Sequence, residues 1–174
     1  PPSNIYFLFF ENIFLHYYFF EKKNIINNLV FGINLFNMNF NHFLTSYMPD
    51  PAVGSKKHFQ NMIDQAVLAE KLGYLSVYIP EHHLVNILMM PSPLQMAVKL
   101  ATLTSKINIV SSVCVLPLHD MRTFAGEVAI ADILTEGRLI LGVGRGAFAW
   151  EMARLGSPKE HSREKFIESL EVLK

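Results

Sequence analysis

Compact apolar runs of strand length alternate with helix-length amphipathic segments along this chain, and that alternation admits very few folds. The runs are Leu29–Phe36, Tyr74–Ile79, Ile107–Leu116 and Leu139–Val143. Between them Lys56–Leu72, Leu94–Thr104 and Thr123–Leu134 carry apolar residues at helical spacing, for example Phe59, Met62, Ile63, Ala66 and Val67. Gly73 stops the first helix, Pro91 and Pro93 open the second, and Glu136-Gly137 turns the chain after the third. Residues 37–55 read as a polar loop. Trp150–Leu155 and Ser162–Leu173 add further helix, the latter with Ser162 as its expected N-cap. Strands spaced about 30 residues apart, and apolar throughout, belong in a parallel sheet built from right-handed crossovers. The fold class is therefore α/β, either a closed barrel or an open doubly wound sheet.

The chain's 174 residues suffice for one domain with a core of its own. Fifteen basic residues balance fifteen acidic ones, so no basic excess is present to bind nucleic acid. A single cysteine, Cys114, leaves no internal disulfide to form and suits a reducing compartment such as the cytoplasm. Residues 1–28 differ in kind from the rest, being dominated by Phe, Tyr, Asn, Ile and Lys without a clean period. Glu11, Asn12 and His16 break the apolar run, so it is not read as a membrane span, and it lacks the preceding basic and following small residues of a signal peptide. It is read as an extension outside the fold, with an interfacial or partner-binding segment as the alternative, and residues 29–174 are read as the fold itself.

Each unusual polar cluster falls directly after a strand: Glu81-His82-His83, His119-Asp120 and Gly144-Arg145-Gly146. Both candidate architectures place their sites at the carboxyl ends of the strands. His82 and His83 suit acid/base work or the holding of a polar intermediate, against the plain alternative of imidazoles satisfied at a strand end. A shared metal is disfavoured, because adjacent side chains diverge and a third ligand would have to come from His119 or Asp120. Asp120 is most simply the N-cap of the third helix. Glu127, inside that helix, is a candidate buried partner for Arg138 or Arg145. The glycine-flanked Arg145, between a buried strand and a helix, can hold an anion or merely form a tight turn. Arg163 opposes the dipole of the last helix, which favours an anion close to it.

Several ordered segments together resemble one known family. They are Tyr74 through His83, Pro91-Ser92-Pro93-Leu94, Thr104 with Ile107, Val115 through Asp120, Asp132 through Arg138, and Leu141 through Gly146. Glu151 through Gly156, Ser162-Arg163 and Phe166 through Leu170 complete the set. The chain is similar over residues 29–174 to the bacterial luciferase-like family of flavin-dependent monooxygenases. The resemblance implies a (β/α)8 TIM-type barrel that binds reduced FMN or, in some branches, a deazaflavin coenzyme. It places Arg145, between Gly144 and Gly146, and Arg163 at the flavin phosphate. It places His82 in the oxygen chemistry with His83 beside it, and Ser112-Val113 at a non-prolyl cis peptide next to the flavin ring. The implied reactants are O2 and a small organic substrate, with a flavin reductase as the supplier of reduced flavin. Luciferase has a reactive cysteine where Gly144 stands, so light emission is not implied. Met121 replaces a usual proline, and Gly126-Glu127 a usual pair of acids.

Only about four βα units are present where the barrel has eight, so the chain is expected to be the N-terminal half of an enzyme. Such a half would expose sheet edges and apolar surface, and a dimer would hide them. Two rivals stand beside oxygenation. One is hydride transfer with the deazaflavin coenzyme. The other is a truncated, non-catalytic chain that only binds flavin or pairs with another subunit.

Overall fold

The structure is a computed structural model and describes residues 7–10 and 39–173. Its frame is one sheet of β1 (Phe7–Phe10), β2 (Asn41–Phe43), β3 (Ser76–Ile79), β4 (Asn108–Ser111), β5 (Cys114–Val115) and β6 (Leu139–Gly144). The spatial order is β1-β6-β4-β3-β2, with β5 also paired to β6, and every pairing is parallel. From β2 through β3 and β4 to β6 the strands lie side by side in chain order with no reversal. That is barrel winding, whereas a doubly wound sheet reverses at a switch point.

Among the described residues α1 (Ser55–Lys71), α2 (Pro93–Ala101) and α3 (Met121–Leu134) connect strands, and α4 (Ala149–Arg154) and α5 (Ser162–Leu173) follow β6. The first two pack on β3, α2 also on β4, and α3 on β6 and α2. The core between sheet and helices holds Met62, Ala66, Ile79, Leu100, Ile109, Phe124 and Leu141, all at most 2% exposed. Ordered side chains pin the ends of these layers. Glu70, near the end of α1, accepts the backbone N–H groups of Ser105, Lys106 and Ile107, which fixes the turn into β4. Arg138 donates to the Ala101 carbonyl and to Thr104, so the start of β6 is tied to the end of α2.

Several elements depart from the sequence reading. The expected strand at 29–36 lies outside the described residues. Among the described residues the first strand of the main fold, β2, falls in the stretch read as a polar loop. Burial alternates through it and beyond: His42 is half-buried between the exposed Asn41 and Phe43, and Leu44, Ser46 and Met48 are buried while Thr45 and Tyr47 are exposed, a period of two that Asn41 and His42 masked. The expected strand 107–116 is two strands, interrupted at Ser112 and Val113. Four residues of the N-terminal stretch, Phe7–Phe10, pair with the far edge of β6 from Leu141 to Gly144. Glu127 is exposed rather than buried, because it lies off the face of α3 that buries Phe124, Val128 and Ala131, and Arg138 bonds Thr104 and the Ala101 carbonyl instead of a carboxylate. Ser162 opens α5, but its hydroxyl donates back to the Lys159 carbonyl instead of capping. Asp120 does cap α3, accepting from the Arg122 N–H at 3.0 Å. Hydrogen bonds from the Arg122 side chain and backbone hold its carboxyl down to about 2.

Candidate active site

The parallel sheet brings the loops after β3, β5 and β6 to one rim. Glu81 follows β3 directly and is 3% exposed, although it is charged. A carboxylate sealed there needs partners, and the neighbouring loops supply them. His83 Nε2 donates to Glu81 Oε1 at 2.6 Å. His119 Nε2 approaches the same oxygen at 2.8 Å, a close contact without good hydrogen-bond alignment. The Val115 N–H donates to Oε2 at 2.6 Å. Burial by itself would push the Glu81 carboxyl up, yet the contacts from His119 and His83 outweigh it and hold the group below its ordinary range. In return the Glu81 hydrogen bond raises His83 above the ordinary imidazole value, against a smaller opposing effect of burial.

His119 is braced from behind by a stacked Phe124 ring, with centroids 4.1 Å apart. A second buried glutamate, Glu151 on α4, accepts the backbone N–H of His83 and lies 3.7 Å from His82 Nδ1. His82 also rests against Phe148, just before α4, at 5.3 Å between ring centres. The loop after β3 is further tied down where the His82 N–H donates to the Met90 carbonyl. Leu84, next in the chain, holds a left-handed φ of 57° while exposed. Among the described residues no group of three or more His, Cys, Asp or Glu side chains is arranged to hold a metal ion.

The Gly-Arg-Gly turn lies at the end of β6. Its glycines answer to packing. A Cβ on Gly144 would lie 2.5 Å from Val113 Cγ2, and one on Gly146 would lie 2.7 Å from Met152 Sδ. Gly146 also has a φ of +92°. The turn can therefore press against the loop after β4, where the Ser112–Val113 peptide bond is cis. Between the two glycines Arg145 is half-buried, with neither an ion pair nor a hydrogen bond to any described residue. Arg163 is exposed in the first turn of α5 and likewise has no such partner. No described contact joins the two arginines. Cys114, beside this turn, is buried, and burial pushes its thiol up and away from reactivity.

Of the residues singled out from the sequence, the structure gathers His82, His83, Ser112, Val113, Gly144, Arg145 and Gly146 at one rim, with Arg163 apart. Sequence reasoning gave no role to Glu81, His119 or Glu151 in ordering the histidines. The signal for Glu81 was present, since a carboxylate directly behind a buried strand must find partners. Glu151 carried no comparable signal, because its partners lie 68 residues away along the chain.

An uncharacterised protein of Sinorhizobium fredii is 39% identical to this chain over 114 residues, covering 66% of this chain and 32% of its own length. The oxygenase component of the flavin-dependent trigonelline monooxygenase of Acinetobacter baylyi is 31% identical over 100 residues, covering 58% of this chain and 28% of itself. The chain thus spans about a third of the length of these curated relatives. The solved structure of the monooxygenase RslO1 from Streptomyces bottropensis superposes with a TM-score of 0.73 at 27% identity, over 78% of this chain and 42% of that one. The sequence model of the luciferase-like monooxygenases matches residues 38–174, so the chain belongs to the luciferase-like monooxygenase family.

Proposed function

We propose that residues 29–174 form the first four βα units of a flavin-dependent monooxygenase and carry half of its flavin site. The observation that bears this reading is Arg145. A half-buried guanidinium without a protein partner, at the carboxyl end of a buried strand, suits a phosphate group. The donor set fits FMN. Arg145 and Arg163 would hold the phosphate, and the Ser112–Val113 segment would lie beside the ring. His82 and His83 would meet the oxygen and substrate side.

Reduced FMN, when bound, supplies the electrons that split O2, so that one oxygen atom enters a small organic substrate and the other leaves as water. The chain's own part is to fix the phosphate, to exclude water with the loops after β3 and β6, and to hold protons at the imidazoles. A flavin reductase is the proposed source of reduced FMN, a reading supported by the relative named as an oxygenase component. A second copy of the chain is the proposed partner, since Phe43, Leu72 and Ile133 are 49%, 66% and 74% exposed. Light scattering at micromolar concentration should show the dimer. No helix among the described residues is long and apolar enough to cross a membrane. The cytoplasm is the proposed location, in keeping with a lone, buried cysteine.

Titrating the chain with FMN and following flavin fluorescence tests the reading. Binding should compete with inorganic phosphate and weaken about tenfold or more in Arg145→Ala, as expected for a lost charge-assisted bond. Equal affinity for riboflavin and FMN would remove Arg145 from the phosphate. Turnover of the complete enzyme with a deazaflavin coenzyme under anaerobic conditions would replace oxygenation by hydride transfer.

A further inference from the structure

His82 presents two ring nitrogens to different surroundings. Its Nδ1 is sealed from solvent and has no hydrogen-bond partner. The one ionisable group facing it among the described residues is Glu151, whose Oε2 is 3.7 Å away. The rest of the ring is reachable, the side chain being 21% exposed. Glu81 and His119 are engaged elsewhere, in the contacts with His83.

A bare Nδ1 lone pair pointed at a carboxylate oxygen is repelled, whereas an Nδ1–H is attracted. Glu151 cannot swing away to relieve the contact. It is 5% exposed, and its other oxygen holds the backbone N–H of His83. We propose that Glu151 is a positioning residue that keeps the proton of neutral His82 on Nδ1, leaving Nε2 as a proton acceptor on the accessible side of the ring. This holds for the free chain. It rests on the flavin reading only for what Nε2 then meets, namely the proton of a bound substrate or oxygen species. The same glutamate ties the loop after β3 to α4, which begins just beyond the Arg145 turn. One buried side chain thereby sets the histidine and its place relative to the Arg145 turn.

The Gln variant separates these roles. In Glu151→Gln the amide oxygen must stay with the His83 N–H, so the –NH2 group faces His82 Nδ1 and donates to it. The favoured tautomer should invert, with the proton moving to Nε2. Nitrogen-15 spectra of the free chain, labelled at histidine, read this directly. The chain has seven histidines, so the His82 signals are identified by their loss in His82→Gln. The wild-type chain should show protonated Nδ1 and bare Nε2, and the Gln variant a shift in tautomer ratio of about tenfold or more toward Nε2–H. Glu151→Asp, which withdraws the carboxylate by one methylene, should give a mixture, and it serves if the Gln variant does not fold. A wild-type chain with its proton on Nε2, or a ratio unchanged across the variants, overturns the proposal. FMN titration of the same samples stands apart: lost FMN binding with the expected tautomers would break the flavin reading and leave this one intact.

Discussion

Two parts of the rim solve the problem of a charged residue near a protein interior in opposite ways. Behind β3, Glu81 is wrapped by partners from the chain itself: two imidazoles and a backbone N–H. Behind β6, Arg145 is half-buried and given none. A satisfied cluster is a scaffold, and its disruption is felt in folding. An unsatisfied cation beside it is held for something that arrives later, and its removal should be felt in binding.

The strongest way to break this contrast is Glu81→Ala. It leaves the Val115 N–H without its acceptor in a buried place and deprives His83 and His119 of their shared carboxylate. The expected loss is about 3 kcal/mol, at the low end for a broken buried pair because both imidazoles keep part of their surface in water. Denaturant midpoints would show it, and a loss under about 1 kcal/mol would mean that the cluster is not a scaffold. Gly144→Ala comes next. Its new methyl would lie 2.5 Å from Val113 Cγ2, so backbone or side chain must give, at a cost of about 1–3 kcal/mol in the same assay. A neutral result there would show that the turn is loose and that its glycines serve a ligand rather than packing.

How legible these two regions were in the sequence follows from the same physics. The helices and β3, β4 and β6 were readable because burial imposes periodicity, and the residues for it lie close together in the chain. β2 was missed because Asn41 and His42 hid a two-residue alternation that becomes visible only in burial. The Glu-His-His and Gly-Arg-Gly clusters were visible as chemistry at strand ends. Their wiring was not, since His119 and Glu151 reach Glu81, His82 and His83 across distant loops. Nor could spacing show that the glycines are taken up by Val113 and Met152. Arg163, grouped with Arg145 through the family resemblance, stands exposed with no described contact between the two.

A smaller effect should appear in pH dependence. The His83 value is raised, so its stabilisation is complete below the ordinary imidazole value of 6.5 and is lost as pH rises through the raised value. The Glu81 value is lowered, so its stabilisation is complete above 4.5 and is lost as pH falls through the lowered value. The thermal midpoint should therefore hold between these limits and decline on both sides. Glu81→Gln should abolish the acid decline due to Glu81 and bring the alkaline decline to lower pH. An unchanged alkaline limb would assign that limb to another group.

The smallest expected effect on stability is also the most telling. Arg145→Ala removes a side chain that bonds to nothing described, so stability should stay within about 0.5 kcal/mol of the parent. A larger loss would mean that Arg145 is held by the fold after all, and the contrast with Glu81 would collapse. A small loss joined to weakened FMN binding would set the two regions apart as claimed. If both stability and FMN affinity were unchanged, Arg145 would be an idle turn residue, and the phosphate would have to be sought at Arg163 or in the part of the barrel that follows β6 in the longer relatives.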